Sequence, residues 1–308
     1  MDASRKRRAK LLTLRARILE QRAEPALVRV EPLAEPLLEL GHVREGALGH
    51  GYPRHSFRVP HVWEPRICEA RYMRSMQVQQ FGRLRARLLG GSDGRGGGDG
   101  PLVVLLHGYG APGDDLVALA QYLRLPTGAR VLFPEAPLAL DFGGRAWWLL
   151  DPMLFERRAR GERIDRSEEV PERLVEARAE LMELLEQAAS RLSVAPERMV
   201  LGGFSQGSML ACDVALHAQV KPAGLILLSS TLLARAEWER AMPSCRGLPI
   251  LQSHGRQDPL LDFGDAERLR ELFEANGAEL TFVDFDGGHE LPPMVLRAAQ
   301  SFIERHAK

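Results

Sequence analysis

Short apolar runs alternate with helical patterns along the last two thirds of the chain, and this alternation constrains the fold more than any other feature. Six runs have the length and the branched side chains of strands buried on both faces: Leu102–Leu106, Arg130–Phe133, Met199–Gly202, Gly224–Ser229, Pro249–Ser253 and Leu280–Phe285. The clearest helical patterns are Asp115–Leu123, Glu169–Leu192, Gln206–His217, Ala266–Ala275 and Met294–His306. Strands that alternate with helices form a parallel sheet covered on both faces. We therefore predict an α/β fold with a mostly parallel central sheet.

Residues 1–75 follow a different pattern. A basic amphipathic stretch over residues 6–23 is followed by three prolines between residues 25 and 36, and the sequence then becomes irregular. A basic amphipathic helix can lie on an anionic membrane, although it is more often a solvated arm. We predict an irregular N-terminal extension over residues 1–75 and a domain with the α/β pattern over 76–308. The sequence leaves open whether the extension is ordered, functional or in peripheral contact with a membrane.

Charge and cysteine content argue against several classes of protein. The chain holds 41 Lys and Arg against 41 Asp and Glu, although residues 1–75 carry 15 basic and 9 acidic side chains. This balance gives no argument for a nucleic-acid partner. Cys68, Cys212 and Cys245 lack C-x-x-C spacing, which predicts reduced thiols and no zinc site. No apolar run approaches the roughly 18 residues that span a bilayer, and no secretory signal is evident, so we expect a cytoplasmic location.

The sharpest chemical signal is the pentapeptide Gly203-Phe204-Ser205-Gln206-Gly207. It lies between an apolar run and a helical pattern, where a tight strand-to-helix turn would lift the serine hydroxyl out of the chain. The alternative is a glycine-rich turn whose serine caps the helix. The setting favours Ser205 as a nucleophile.

A serine nucleophile needs a base and an orienting carboxylate from the ends of later strands. Asp258 follows the run Pro249–Ser253, and His289 follows Leu280–Phe285 through a double glycine. Their order after Ser205 is that of the α/β-hydrolase fold. We predict His289 as the base and Asp258 as the acid. Asp262 and Asp265 are the rival acids, and we expect the nearby His254 to shape its loop instead.

The turn after the first long strand reads His107-Gly108-Tyr109-Gly110. A backbone N–H there can face the serine and stabilise a developing oxyanion. We assign the two oxyanion donors to the backbone amides of Tyr109 and Gln206. Because His107 precedes the serine and directly follows a strand, it is interpreted as shaping the loop and not as the base.

Together these stretches resemble the phospholipase/carboxylesterase family of serine hydrolases, which includes acyl-protein thioesterases and bacterial carboxylesterases. The resemblance covers about residues 100–306 and rests on five ordered motifs. These motifs are Leu106–Gly110 with Asp114 and Asp115, Pro134–Pro137, Gly202–Gly207, His254–Pro259 and Gly288–Glu290. It implies a compact α/β-hydrolase without a large lid, metal or cofactor. It also implies Ser205, Asp258 and His289 as the triad, with oxyanion amides at Gln206 and Tyr109.

The connection over residues 138–168 departs from the family pattern. Members commonly show a tryptophan, an aromatic residue and an aspartate, whereas this chain reads Trp147-Trp148-Leu149-Leu150-Asp151. Long connections in compact domains are usually functional or disordered, and ligand pockets are mostly apolar. Trp147 and Trp148 are therefore candidates for a substrate-pocket wall. The alternative is that they anchor the connection to the protein body.

The pattern as a whole predicts a serine esterase that cleaves small carboxylic esters through an acyl-enzyme. A thioesterase or lysophospholipase with the same triad is the second interpretation, because pocket length cannot be read from the sequence. A binding protein that keeps the fold without turnover is disfavoured, since it would not need nucleophile, acid, base and oxyanion turn together. Acyl-chain length, leaving group and oligomeric state stay open.

Overall fold

The computed structural model describes residues 77–308 apart from 124 and 142, and these residues build an eight-stranded sheet flanked by helices. The strands are β1 (Gln77–Phe81), β2 (Leu84–Gly90), β3 (Leu102–Leu106), β4 (Arg130–Pro134), β7 (Met199–Phe204), β8 (Gly224–Leu228), β9 (Pro249–Gly255) and β10 (Glu279–Phe285). A separate two-stranded ribbon joins β5 (Leu138–Ala139) to β6 (Arg145–Ala146). The predicted extension over residues 1–75 lies outside the described residues, and so does the boundary proposed at its end.

The strand order is β1-β2-β4-β3-β7-β8-β9-β10. The strands from β4 to β10 along this order pair in parallel, whereas β1 pairs with β2, and β2 with β4, in antiparallel fashion. In a parallel sheet the carboxyl ends of the strands share one edge. The segments that follow β3, β7, β9 and β10 therefore meet at a common edge.

Seven α-helices are present among the described residues. They are α1 (Leu119–Tyr122), α2 (Pro152–Ala159), α3 (Leu174–Arg191), α4 (Gln206–His217), α5 (Arg235–Ala241), α6 (Phe263–Ala275) and α7 (Pro293–His306). The predicted helix over Asp115–Leu123 is a 3₁₀ turn, Asp115–Ala118, followed by the short α1. No helix in the described part of the chain is long and apolar enough to cross a membrane.

Helix α3 begins at residue 174, five residues later than the periodicity predicts. The carbonyl of Glu169 accepts a hydrogen bond from the Ala234 amide at 3.0 Å and so ties this segment to the loop before α5. Pro171 has no N–H for an intrahelical bond. Local tertiary bonding therefore overrides the helical pattern at its start.

Two apolar clusters cover the two faces of the sheet, as the alternation of side chains along a buried strand requires. Leu102 and Val104 of β3 pack in one cluster with Leu181 of α3, whereas Val103 packs in the other with Phe302 of α7. All of these side chains are buried. The predicted α/β architecture, with helices on both faces of a mostly parallel sheet, is confirmed.

A buried ion pair fixes α4 between its neighbouring helices. The guanidinium of Arg178 on α3 donates to both carboxylate oxygens of Asp213 on α4, at 2.6 and 3.1 Å. The indole of Trp238 on α5 donates to Asp213 at 2.9 Å, and Glu237 accepts from Arg178 at 2.7 Å. Burial alone would lower the pKa of Arg178, but the two carboxylates outweigh it and raise that pKa. The contacts tie α4 to α3 and α5.

Removal of the Asp213 charge is expected to destabilise the fold, because a buried pair that loses one partner leaves the other uncompensated. We predict that Asp213→Asn lowers the free energy of unfolding by about 3 kcal/mol, measured by guanidinium chloride denaturation of the full chain. Glu156→Gln, which removes an exposed pair with Arg160, is the control and is expected to change little. Equal effects of the two substitutions would contradict a structural role for the buried pair.

Candidate active site

Ser205 lies in a strained turn between β7 and α4. Its backbone angles are φ 54° and ψ −122°, in a region that costs a non-glycine residue about 1–3 kcal/mol. Hydrogen bonds hold the turn on both sides: the Ser205 amide donates to Leu228 at 2.9 Å, and its carbonyl accepts from the Ser208 and Met209 amides at 3.0 and 3.2 Å. The serine is thereby placed at the carboxyl edge of the central strand.

The glycine at residue 207 allows α4 to begin directly against the end of β3. A Cβ atom at this position would lie 2.4 Å from the Leu106 carbonyl oxygen and 2.5 Å from that of His107. Real Cβ atoms do not approach backbone oxygens so closely. Any side chain at 207 would therefore push the first turn of α4 away from the strand that precedes the His107 turn.

Asp258 and His289 face each other at the same edge of the sheet. The Nδ1 atom of His289 lies 2.6 Å from Oδ2 of Asp258, and both side chains are almost fully buried. The other oxygen of Asp258 accepts from the Leu260 and Leu261 amides at 2.8 and 2.9 Å. Burial would raise the pKa of the Asp258 carboxyl, but His289, His254 and the Leu261 amide outweigh it and hold that pKa below its usual value. The carboxylate is thus held ionised against the imidazole.

Main-chain packing brings these two loops together. Asp284 of β10 pairs with His254 of β9, and the next pair along the ladder is Phe285 with Gly255. Beyond this pair the Gln257 amide donates to the Gly287 carbonyl at 2.9 Å. A Cβ atom on Gly255 would lie 2.2 Å from the Gly288 carbonyl oxygen, so the close approach of the loops requires glycine here.

The rival acids serve other elements. Asp262 caps α6 by accepting from the Gly264 amide at 2.9 Å, and it also pairs with Arg163. Asp265 pairs with Arg268. The carboxylate that lies against the His289 imidazole is that of Asp258, so among the three aspartates the geometry favours Asp258.

His254 lies on the other side of Asp258. Its Nε2 atom is 3.1 Å from the Leu261 carbonyl oxygen and 3.5 Å from Oδ2 of Asp258. Because a carbonyl only accepts, this nitrogen carries a hydrogen. Burial lowers the pKa of His254, although Asp258 opposes the shift. A neutral His254 therefore braces the 258–261 turn, in agreement with the loop-shaping role expected for it.

Ser205 is flanked by the two other loops. The ring of Phe204, its neighbour in the chain, packs against the His289 ring with centroids 4.8 Å apart. On the other side, a Cβ atom on Gly108 would lie 3.3 Å from the Ser205 Cβ, so the turn that carries Tyr109 lies against the serine. The fold therefore gathers the predicted nucleophile, base, acid and oxyanion turn at one edge.

The comparison with protein families agrees with this geometry. Residues 98–307 match the family model described as Phospholipase/Carboxylesterase, which spans more than half of the chain. The chain belongs to this family. Its predicted class, a serine hydrolase that acts on ester bonds, is confirmed at the level of the family.

Named relatives are consistent with the family assignment. The chain is 26% identical over 216 residues to acyl-protein thioesterase 1 of Gibberella zeae, which covers 66% of this chain and 89% of the relative. The crystal structure of esterase PE8 aligns with a TM-score of 0.61 at 26% identity, over 72% of this chain and 99% of that one. The Bacillus cereus carboxylesterase structure aligns with a TM-score of 0.55 at 20% identity, over 73% of this chain and 95% of that one. At this identity the likeness supports the fold alone.

His107 is a structural residue of the family turn in this chain. Its Nε2 atom accepts from the Ala136 amide at 2.9 Å, so the hydrogen is on Nδ1, which donates to the Gly108 carbonyl at 2.8 Å. Burial lowers the pKa of His107 to about 4. A histidine that is neutral and bonded at both nitrogens shapes the loop, as the sequence predicts, and does not accept a proton near neutral pH.

Trp147 and Trp148 are buried beneath the site, with 0% and 1% of their surface exposed. The indole N–H of Trp147 donates to the His107 carbonyl at 3.0 Å, and its backbone amide donates to the Gln206 side chain at 2.9 Å. This arrangement corresponds to the anchoring alternative for the connection. That a substrate touches either ring stays a prediction.

Two groups at the site escaped the sequence analysis. The carbonyl of Arg145 accepts from the Gly110 amide at 2.8 Å, and the Gln206 side chain bonds the Trp147 segment. The dipeptide Gly143-Gly144 is a hairpin-turn signal that would have located the ribbon containing Arg145. Nothing local signals the Gln206 contacts, because they join residues 58 or more positions apart.

Within the described residues, no group of three or more His, Cys, Asp or Glu is placed to hold a metal ion.

The buried neutral His107 makes stability depend on pH. Its pKa falls from 6.5 to about 4 on folding. Between pH 6.5 and pH 4 the histidine is therefore mostly protonated in the unfolded chain and mostly neutral in the folded chain, so a fall in pH favours unfolding. We predict that this residue removes about 3 kcal/mol of stability as the pH falls from 7 to 4. His107→Asn, which does not titrate there, is expected to flatten that part of the curve in urea unfolding. Parallel curves for variant and parent would contradict the assignment.

Proposed function

We propose that this chain is a serine carboxylic-ester hydrolase that works through an acyl-enzyme intermediate. Ser205 is the nucleophile, His289 the general base and Asp258 the residue that orients His289. The observation that carries the proposal is the 2.6 Å contact between Asp258 and His289 beside the strained turn of Ser205. Membership of the phospholipase/carboxylesterase family supports the reaction class.

In the acylation step, His289 takes the Ser205 proton as the serine oxygen attacks the carbonyl carbon of the ester. The imidazole uses Nε2 for this transfer, because Nδ1 faces Asp258. The ionised carboxylate stabilises the imidazolium that forms. The negative charge on the substrate oxygen is stabilised by the backbone amides of Tyr109 and Gln206, which belong to the two segments that flank Ser205.

Collapse of the tetrahedral intermediate releases the alcohol, which receives its proton from the His289 imidazolium. Water then attacks the acyl-enzyme while His289 accepts one of its protons, and the carboxylic acid leaves as the Ser205 hydroxyl is restored. The same groups therefore serve twice. Neither half of the cycle requires a change in the position of Asp258.

Thioesters and lysophospholipids are the second substrate class. Two relatives are named acyl-protein thioesterase 1, which supports acyl-thioesters as candidate substrates of this chain. Both classes are attacked at an acyl carbonyl, so the proposed triad serves either.

A non-catalytic binding protein is the alternative of another kind, and turnover by the parent protein would exclude it.

Removal of the nucleophile tests the covalent mechanism. Turnover of a p-nitrophenyl ester series of increasing acyl length, an acyl-thioester and a lysophospholipid is compared for parent and Ser205→Ala. We predict a loss of more than about three orders of magnitude in kcat, because the remaining triad residues cannot form an acyl-enzyme. A fluorophosphonate is expected to label the parent at Ser205 and to leave the variant unlabelled. Equal rates would refute the mechanism.

Replacement of the acid distinguishes Asp258 from its neighbour. Asp258→Asn is expected to lower kcat by a factor on the order of 10⁴, because the amide no longer favours the required tautomer of His289 or its imidazolium. Asp262→Asn keeps the oxygen that caps α6 and serves as the matched control, with kcat within about twofold of the parent. Similar losses in both variants, measured with the best ester, would argue against Asp258 as the orienting residue.

A further inference from the structure

The side chain of Gln206 is buried and bonded at both ends of its amide. Its exposed fraction is 2%, its Oε1 atom accepts from the Trp147 amide at 2.9 Å, and its Nε2 atom donates to the Trp148 carbonyl at 2.8 Å. The partners fix the orientation of the amide, since a backbone N–H only donates and a carbonyl only accepts. A buried polar side chain that finds two such partners specifies one arrangement of the segments it joins.

The segment that Gln206 binds also holds the turn after β3. The Trp147 indole donates to the His107 carbonyl at 3.0 Å. Two residues earlier, the Arg145 carbonyl accepts from the Gly110 amide at 2.8 Å, and the Arg145 amide donates to the Ala111 carbonyl at 2.9 Å. Residues 145–148 are therefore bonded to the turn on both sides of Tyr109 and to the residue that follows Ser205.

We propose that the Gln206 side chain is a positioning residue that, through Trp147, sets the separation of the two oxyanion amides. This inference rests on the proposed function, because it assigns a purpose to the amides of Tyr109 and Gln206 given there. The donors lie on segments far apart in sequence, and the Gln206 side chain links them by side-chain hydrogen bonds beneath the site. The side chain itself does not touch the substrate.

Such a link matters because an oxyanion site tolerates only small displacements of its hydrogen-bond donors. Donors act on the tetrahedral oxygen at 2.7–3.1 Å, and displacements of about 1 Å from the reactive geometry can reduce rates about 10²-fold. The substrate in its ground state depends less on these amides than the transition state does. Loss of the link is therefore expected to lower kcat and leave KM nearly unchanged.

Gln206→Met is the principal test, because methionine keeps the volume of the side chain and removes both hydrogen bonds. We expect kcat to fall about 10- to 100-fold with KM within about twofold of the parent. Affinity for an acyl trifluoromethyl ketone, which forms a tetrahedral adduct with a serine, is expected to fall in parallel. Cys212→Ala, a buried substitution further along α4, is the control and is expected to leave kcat unchanged.

Gln206→Glu adds a pH-dependent readout, measured over the pH range in which circular dichroism shows the variant to be folded. A protonated carboxyl offers one acceptor and one donor, as the amide does, whereas a carboxylate opposes the Trp148 carbonyl. Burial raises the pKa of a carboxyl group. The kcat of this variant relative to the parent is therefore expected to rise as the pH falls from 8 to 5.

The outcomes separate this inference from the proposed function. If the parent protein shows no ester turnover, both the proposed function and this inference are overturned. A parent that turns over, with kcat in Gln206→Met within twofold of it, overturns only the positioning role, as does a loss equal to that in Cys212→Ala. If Gln206→Met does not fold, two other variants decide: Trp147→Phe, which removes the indole donor to His107 while it keeps an aromatic ring, and the pH series of Gln206→Glu. The inference is overturned if kcat of Trp147→Phe equals that of the parent and if the ratio of kcat in Gln206→Glu to kcat in the parent does not change with pH.

Discussion

The hydrogen bond between Asp258 and His289 depends on a main-chain contact that leaves no room for a side chain at residue 255. The parallel pairing of β9 with β10 sets the direction in which the two loops leave the sheet, and the close packing of Gly255 on Gly288 then brings them together. The same principle operates at Gly207, where α4 starts against the end of β3. In both places the position of reactive groups follows from backbone atoms in direct contact.

Buried polar groups complete this support. His107, Gln206 and Asp213 each bind segments that are distant in sequence, and all three have well-placed partners. Such groups add less to net stability than their number suggests, because burial removes them from water. Their effect is to select one arrangement among compact alternatives. Asp213 lies on α4, Gln206 is its first residue, and His107 lies in the turn against its start, so the helix that follows Ser205 is held at several points.

Much of the fold was predictable because buried parallel strands have an unambiguous sequence pattern. The six predicted runs are all strands, and the order of Ser205, Asp258 and His289 after those strands predicted the edge at which they meet. The limits lie in long-range contacts. Residues 90–100 are rich in glycine and carry no strand or helix pattern, yet the Gly91 amide bonds the Ala129 carbonyl and Asp93 accepts from two nearby amides. Periodicity reports which face of an element is apolar, and it carries no information on which distant carbonyl a side chain will meet.

The strained backbone of Ser205 has an evolutionary consequence. Glycine adopts positive φ without the penalty that serine bears, so a Ser205→Gly protein is expected to be no less stable than the parent while it lacks a nucleophile. Thermodynamic selection alone would therefore favour loss of the hydroxyl. A lineage that keeps serine in this conformation does so against the preference of its own folding equilibrium.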